Sequence, residues 1–294
     1  MTPADLSRLL LLSAIWGASF LFMRIGAPVL GPARLIFLRV GLAALFLLAI
    51  AFYLRKPLAV RRYWKHYLVL GCCNSALPFL LFAYAAQTVS ASLLAILNAT
   101  APLWALAVGT LWFKSRPTPG AMFGMLLGIV GVALVAGVET LALPAGGGLA
   151  VVAALGAAAS YGVASTYTKT APAVEPLANA HGSMWAATAM LLPLALLAPP
   201  LAATPASPVL FSVAALGIVC SGVAYLLYFR LVSDIGAAPA LTVTFLIPVF
   251  GIFWGVVFLN ESVGWHTFAG SLAILAGTIL VTGFSPATLR AKKG

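Results

Sequence analysis

Arg39 is the deepest charge in the sequence, about six residues into an apolar run that opens near Ala33. A charge within a bilayer is costly and concentrates at functional positions. Its guanidinium either meets the carboxylate of a solute or snorkels outward along its apolar stem. Asn98 and Thr100 precede Pro102, and Thr242 and Thr244 precede Pro248. A proline inside a helix removes a backbone hydrogen bond, and at Pro102 this frees a carbonyl near Asn98. Asn98 and Thr244 are therefore candidate polar contacts for a bound solute, and Pro102 and Pro248 are candidate break or gating points. Trp16, Phe79, Tyr84, Trp104, Tyr161, Tyr225, Tyr228, Phe245 and Trp254 are candidate wall residues, with Ser19 following Trp16 and Ser165 following Tyr161. Apolar and aromatic walls with a few oriented polar groups bind small molecules. The chemistry on offer is recognition rather than bond making.

Two titratable residues complete the candidate set. His181 falls early in a predicted helix and titrates in the neutral range, which suits coupling to protons. Glu261 stands at a helix boundary, where a carboxylate suits the N-terminus of the following helix; that structural role is preferred, with coupling as its alternative. The five acids Asp5, Glu139, Glu175, Asp234 and Glu261 all fall at predicted helix ends or in loops. This argues against a carboxylate cage for sodium or a proton-carrying acid at mid-helix. Cys72, Cys73 and Cys220 lie inside predicted helices without metal-ligand spacing. No phosphate-binding loop occurs, and Ser, His and acidic residues do not converge on a hydrolase arrangement. Catalysis, a metal and a cofactor are all unexpected.

The elements that must hold these residues are apolar helices. Hydrophobic residues make up 63% of the 294, and charged residues 7%, against about 25% in a soluble domain. Apolar runs of roughly 20 residues cross a bilayer as helices. A β-barrel would alternate polar and apolar residues, and these runs do not. Ten helices are predicted: Leu6–Ala27, Ala33–Leu54, His66–Thr88, Ser90–Phe113, Pro119–Val138, Gly147–Lys169, Ala178–Leu197, Val209–Val232, Ala237–Leu259 and Gly264–Phe284. The first run reads as a retained helix rather than a cleaved signal. Trp64, Trp185 and Trp265 suit the lipid headgroup level. The net charge of +11 flanks these runs, so it sets topology and does not indicate a nucleic-acid partner. With the N-terminus inside, 13 basic residues fall on the inner side, including Arg61, Arg290, Lys292 and Lys293. Only Arg24, Arg34 and Arg39 fall outside. Both termini are expected in the cytoplasm of an inner-membrane protein.

The chain also repeats itself. Pro102 and Pro248 lie 146 residues apart (248 less 102). The same shift, without a gap, lays Gly109 on Gly255, Gly124 on Gly270, Gly131 on Gly277 and Gly137 on Gly283. Trp16-Gly17 falls on Tyr161-Gly162 at 145. Two repeats are expected, residues 1–143 and 144–294. Five helices is an odd number, so the repeats cross the membrane in opposite directions. Inverted repeats around a central cavity make alternating access natural, with the solute site at the seam. Gly124, Gly128 and Gly131 form a small-residue strip that serves packing within one bundle or between two copies, so monomer and homodimer both stay open.

Four stretches resemble the EamA-type branch of the drug/metabolite transporter superfamily. They are Ile15-Trp16-Gly17-Ala18-Ser19-Phe20 with Arg24; Leu38-Arg39 with Gly41-Leu42-Ala43-Ala44; Ser92-Leu93-Leu94 through Asn98, Pro102, Leu103 and Trp104; and Ile235-Gly236-Ala237-Ala238 through Pro248, Glu261 and Gly270. The family often repeats the glutamate of the second half in the first, where this chain has Ser115. The resemblance implies a ten-helix bundle that moves small metabolites, often outward. An aromatic cavity with few charges points to neutral or hydrophobic amino acids or related metabolites, with protons as a possible co-substrate. Drugs, nucleobases and vitamins are alternatives, as is a non-transporting lipid-handling or signalling bundle.

Overall fold

The computed structural model describes residues 2–142, 147–201 and 203–283. The expected boundary between residues 143 and 144, the Glu139 side chain, and Arg290, Lys292 and Lys293 lie outside the described residues. Among the described residues the chain is all α. Ten long helices follow one another: α1 Pro3–Leu30, α2 Pro32–Tyr53, α3 Val60–Ala85, α4 Ala91–Phe113, α5 Pro119–Ala142, α6 Gly147–Thr168, α7 Pro176–Leu196, α8 Ser207–Ile235, α9 Val243–Leu259 and α10 Trp265–Thr282. A single helical turn, Ala237–Ala240, precedes α9. Eight of the ten are long and apolar enough to cross a membrane. α9 is apolar but has 17 residues, and α7 carries Asn179, His181 and Ser183 in its first turns. The chain is a multi-pass membrane protein.

Helix ends are closed by specific groups. Thr2 and Asp5 form a reciprocal cap that starts α1. Arg24 donates to the Ala86 and Gln87 carbonyls, 2.8 and 2.7 Å away, just past α3. Arg34 reaches the Ala198 and Pro199 carbonyls just past α7. The last carbonyls of a helix lack intrahelical partners and carry partial negative charge, so two of the three arginines expected on the outer side are used as C-terminal caps.

The packing of α5 on α10 reveals how the halves are related. A Cβ placed on Gly124 would meet the Gly277 carbonyl oxygen at 2.7 Å, and one on Gly131 would meet that of Gly270 at 2.7 Å. Seven residues forward along α5 is thus seven residues back along α10, so the two helices run antiparallel. They are also counterparts in the repeat, as Gly124 matches Gly270 and Gly131 matches Gly277. Counterparts that oppose each other require inverted halves. α1 and α6 agree: Gly17 packs against Phe250 and Gly251 of α9, while Gly162 packs against Trp104 and Ala105 of α4. The counterparts Lys114 and Asn260 both end their helices in the left-handed conformation, with φ 51° and 53°. The small-residue strip on α5 is therefore occupied within the chain.

Hydrophobic packing continues across the seam. One large core joins Phe20, Ile36, Leu47, Phe82, Leu94 and Leu97 of the first half to Met184, Leu191 and Leu216 of the second. A smaller one joins Leu9, Leu12, Leu231 and Val243 at the end of the bundle where α1 begins, called the near end below.

The helix breaks differ from expectation. α3 starts at Val60 rather than His66. α4 bends at Ala99–Thr100, between segments Ala91–Asn98 and Ala101–Phe113. Pro102 is the second residue of the new segment, where its missing N–H has no partner to lose. The expected loss of a hydrogen bond at Pro102 is therefore corrected: the break comes before the proline. Pro248 does lie inside α9. The matching turn, at Leu241–Thr242, falls one helical turn earlier in the repeat frame. The two copies thus bend at different depths.

Candidate functional site

Two helices widen where polar residues gather. α3 is π-helical over Gly71–Ala76 and α8 over Ala215–Val223. Such widening is rare, displaces side chains from the regular register and recurs at functional sites. The two segments are counterparts: a shift of 146 lays Gly71 on Gly217 and Ser75 on Ser221.

The α8 segment meets Arg39 through Ser221, and the α3 segment meets Tyr225 beside it. The Arg39 side chain is 3% exposed, so it does not snorkel outward. Its Nε donates to Ser221 Oγ at 3.0 Å, and Nη1 lies 3.8 Å from the Met23 sulfur. The guanidinium carbon stands 3.7 Å from the centre of the Phe79 ring, a geometry in which a desolvated cation gains about 2 kcal/mol. Tyr161, Tyr225 and Cys220 are close enough to feel its charge. Asn74 Nδ2 reaches the Tyr225 hydroxyl at 3.5 Å. The buried Ser19 hydroxyl lies beside the Cys220 thiol and that of Ser75 beside the Tyr225 hydroxyl, in loose contacts that fall short of good hydrogen-bond geometry among the described residues. Five helices from both halves supply this cluster. Aromatic rings continue from Tyr225 through Phe229 to Tyr228 and Trp16, at centroid separations of 5.9, 6.2 and 5.5 Å.

Of the predicted site residues, Ser19, Arg39, Phe79 and Tyr161 meet here, with Trp16 and Tyr228 alongside. Tyr225 also joins them, as does Cys220, which was read as a packing residue; Asn74, Ser75 and Ser221 join without having been singled out. The pairing of Ser75 with Ser221 under the repeat shift was the available signal. Tyr84 is exposed and lines a separate groove of about 440 Å³ among Leu30, Pro32, Leu80, Leu194 and Pro199. Ser165 is exposed as well. It follows Tyr161 by four residues, whereas Ser19 follows Trp16 by three, so the two serines are not counterparts. Asn98 is half-buried and makes no side-chain hydrogen bond with a described residue. Trp104 is 36% exposed, and Phe245 is half-buried. The Thr244 hydroxyl donates to the Leu241 carbonyl at 2.7 Å and so closes the turn before α9. His181 is buried; its Nε2 accepts from the Trp185 indole at 2.8 Å, and its Nδ1 has no partner.

Glu261 departs from its expected role. It caps no helix of its own half. Its Oε1 accepts from Ala91 N at 2.7 Å, and Oε2 accepts from Ser92 N at 3.0 Å and Ser92 Oγ at 2.6 Å. A carboxylate just past α9 in the second half thus caps α4 of the first, because the inverted halves bring the C-terminus of α9 beside the N-terminus of α4.

Polar links also cross the seam at the near end. Arg8 on α1 bonds Asp234 on α8 at 2.7 Å, and Asp234 also holds Arg230 at 2.9 Å. His66 on α3 lies 3.1 Å from the Tyr167 hydroxyl and 3.0 Å from Asn179 Oδ1. Lys56 and Glu175 are 4.0 Å apart. Among the described residues no group of three His, Cys, Asp or Glu could hold a metal ion.

The sequence model of the EamA-like transporter family matches residues 6–137 and again residues 148–283. A Bacillus subtilis protein described as the uncharacterized transporter YoaV is 22% identical over 276 residues, covering 91% of this chain and 93% of its own. An uncharacterized transporter of Archaeoglobus fulgidus is 27% identical over 285 residues, with coverage of 91% and 93%. A protein crystal structure superposes with a TM-score of 0.66 at 17% identity, over 96% of this chain and 98% of that one; this likeness concerns the fold alone.

Proposed function

This chain belongs to the EamA-like transporter family, and from that premise we propose that it moves small amphipathic metabolites across the inner membrane by alternating access. The direction is export, and the solutes are neutral or hydrophobic amino acids or related metabolites. The solute sits against the Arg39 cluster. One observation carries this reading: the two π-helical segments, one from each inverted half, bring Asn74, Ser75 and Ser221 to a single group of aromatic rings around Arg39. The near end, where the described chain starts at Thr2 and stops at Gly283, is cytoplasmic on the basic-residue count. Asn98 and Trp104 border the path along α4. His181 is the residue through which a proton would couple.

Flux of a radiolabelled metabolite panel into proteoliposomes tests the reading, and absence of flux for every solute overturns it. Asn98→Ala and Trp104→Ala are expected to slow flux about tenfold, whereas Trp64→Ala and Trp265→Ala leave it within twofold at equal expression. Equal behaviour of all four removes Asn98 and Trp104 from the path.

The near end must part during each cycle, so the Arg8–Asp234 link acts as a latch. Its side chains are 33% and 22% exposed. Partly solvated pairs contribute about 0.2–1 kcal/mol, so Asp234→Asn is expected to speed thiol labelling of Val243→Cys up to about fivefold. The background for this measurement lacks Cys72, Cys73 and Cys220. Unchanged labelling would remove the latch from the opening step.

A further inference from the structure

We propose that the solute at the Arg39 cluster is an aromatic or otherwise apolar monocarboxylate, held through its carboxylate by the Arg39 guanidinium, with no ammonium group required. This rests on reading the cluster as the solute site and narrows the solute class given above from amino acids to the related metabolites that keep the carboxylate but lack the ammonium group.

The argument begins with the acids. The chain has five, and the four with described side chains are all engaged elsewhere. Asp5 bonds Thr2 and Arg8. Glu175 caps α7 through Ala178 N. Asp234 holds Arg8 and Arg230. Glu261 caps α4. The fifth, Glu139, belongs to the last turn of α5, a helix packed on α10, α6 and α4, whereas Arg39 belongs to α2. Arg39 is thus a buried cation with no counter-ion among the described residues. Such a charge is strongly unfavourable unless paired, and a ring face with one hydroxyl offsets only part of that. An arriving anion supplies the rest.

The geometry suits a carboxylate. A guanidinium has five N–H donors in a planar fork that matches two carboxylate oxygens. Described residues use Nε for Ser221, and Nη1 faces only a thioether. Ser19 and Ser75 are 5% and 0% exposed, and among the described residues their hydroxyls make only loose contacts, with Cys220 and Tyr225, so either can turn to donate to an arriving anion. Phe79, Phe82, Tyr161 and Tyr225 offer rings for an apolar body. No described acid stands ready for an ammonium group. A zwitterion would therefore lose ammonium hydration without recovering it in an ion pair.

The experiment compares four solutes of similar shape in proteoliposomes: 3-phenylpropionate, phenylalanine, 3-phenylpropionamide and phenethylamine. The acid is expected to enter at least tenfold faster than the amide, with phenylalanine between them. Arg39→Met is expected to lose this preference, and Arg39→Lys to keep part of it. In detergent, 3-phenylpropionate should raise the unfolding temperature of the native protein but not of Arg39→Met. Without solute, Arg39→Met should unfold no lower than the native protein, since an uncompensated charge is gone. Equal flux of acid and amide, or a preference that survives in Arg39→Met, overturns the proposal and leaves the transport reading intact. So does movement of other metabolites when none of these four moves. If no solute of any kind moves, the transport reading itself falls.

Discussion

Glu261→Ala is expected to lower the unfolding temperature by about 5–15 °C, the largest effect of any single side-chain truncation proposed for this protein. Three hydrogen bonds end on this carboxylate, two from backbone amides and one from a hydroxyl. Hydrogen bonds to a charged group contribute about 1.5–3 kcal/mol each. Part of this returns when the α4 amides find water, so a net loss of about 2–5 kcal/mol is reasonable. The link also joins opposite halves, so its loss weakens the seam as well as the helix end. Glu261→Gln keeps an acceptor but loses the charge that complements the α4 N-terminus, and it should fall between native and alanine. Ser92→Ala removes one bond and should cost about 1 kcal/mol. Thermal unfolding in detergent measures all three, and a melting point within 2 °C of native for Glu261→Ala would show that the cap is energetically idle.

The second large effect lies where α5 crosses α10. Gly131→Ala places a methyl group 2.7 Å from the Gly270 carbonyl oxygen and 2.9 Å from the Ile274 nitrogen. Neither backbone atom can turn aside as a side chain can. The helices must part, and overpacking of this kind costs about 1–3 kcal/mol even against softer neighbours. Gly131→Val should be worse and is expected to leave little folded protein. Gly120→Ala on the same helix meets nothing within 4 Å. It should be neutral or slightly stabilising, since alanine favours a helix by up to about 1 kcal/mol over glycine. Folded yield by size-exclusion chromatography separates the two. If Gly131→Val yields as much as Gly120→Ala, the close crossing of the halves is wrong.

Part of the candidate cluster was legible from residue types. Arg39 stood out because a lone charge in an apolar run needs a reason, and the structure supplies one in Phe79 and Ser221. Tyr161 was legible from the repeat through Trp16, whereas Ser19 was named only for its place one turn after Trp16. Ser165 was matched one residue out of phase, and one residue on a helix is a turn of about 100°, enough to move it from the interior to the surface. Tyr84 follows Phe79 by five residues and points into a different groove. The Glu261 cap could not be assigned to α4 from local sequence, because its donors lie about 170 residues away.

Hydropathy and self-similarity are properties of the chain as written. They decided that this protein is a bundle of ten apolar helices in two opposed copies, because bilayer thickness and an odd helix count leave few other solutions. Which polar group meets which was decided only when the copies packed together. A helix sequence specifies its faces, but the neighbour set against each face depends on close approach, and here glycines at the α5–α10 crossing control that approach. The isolation of Arg39 from every described acid, the buried Ser19 and Ser75 hydroxyls beside it and the carboxylate that bridges the halves are consequences of that packing.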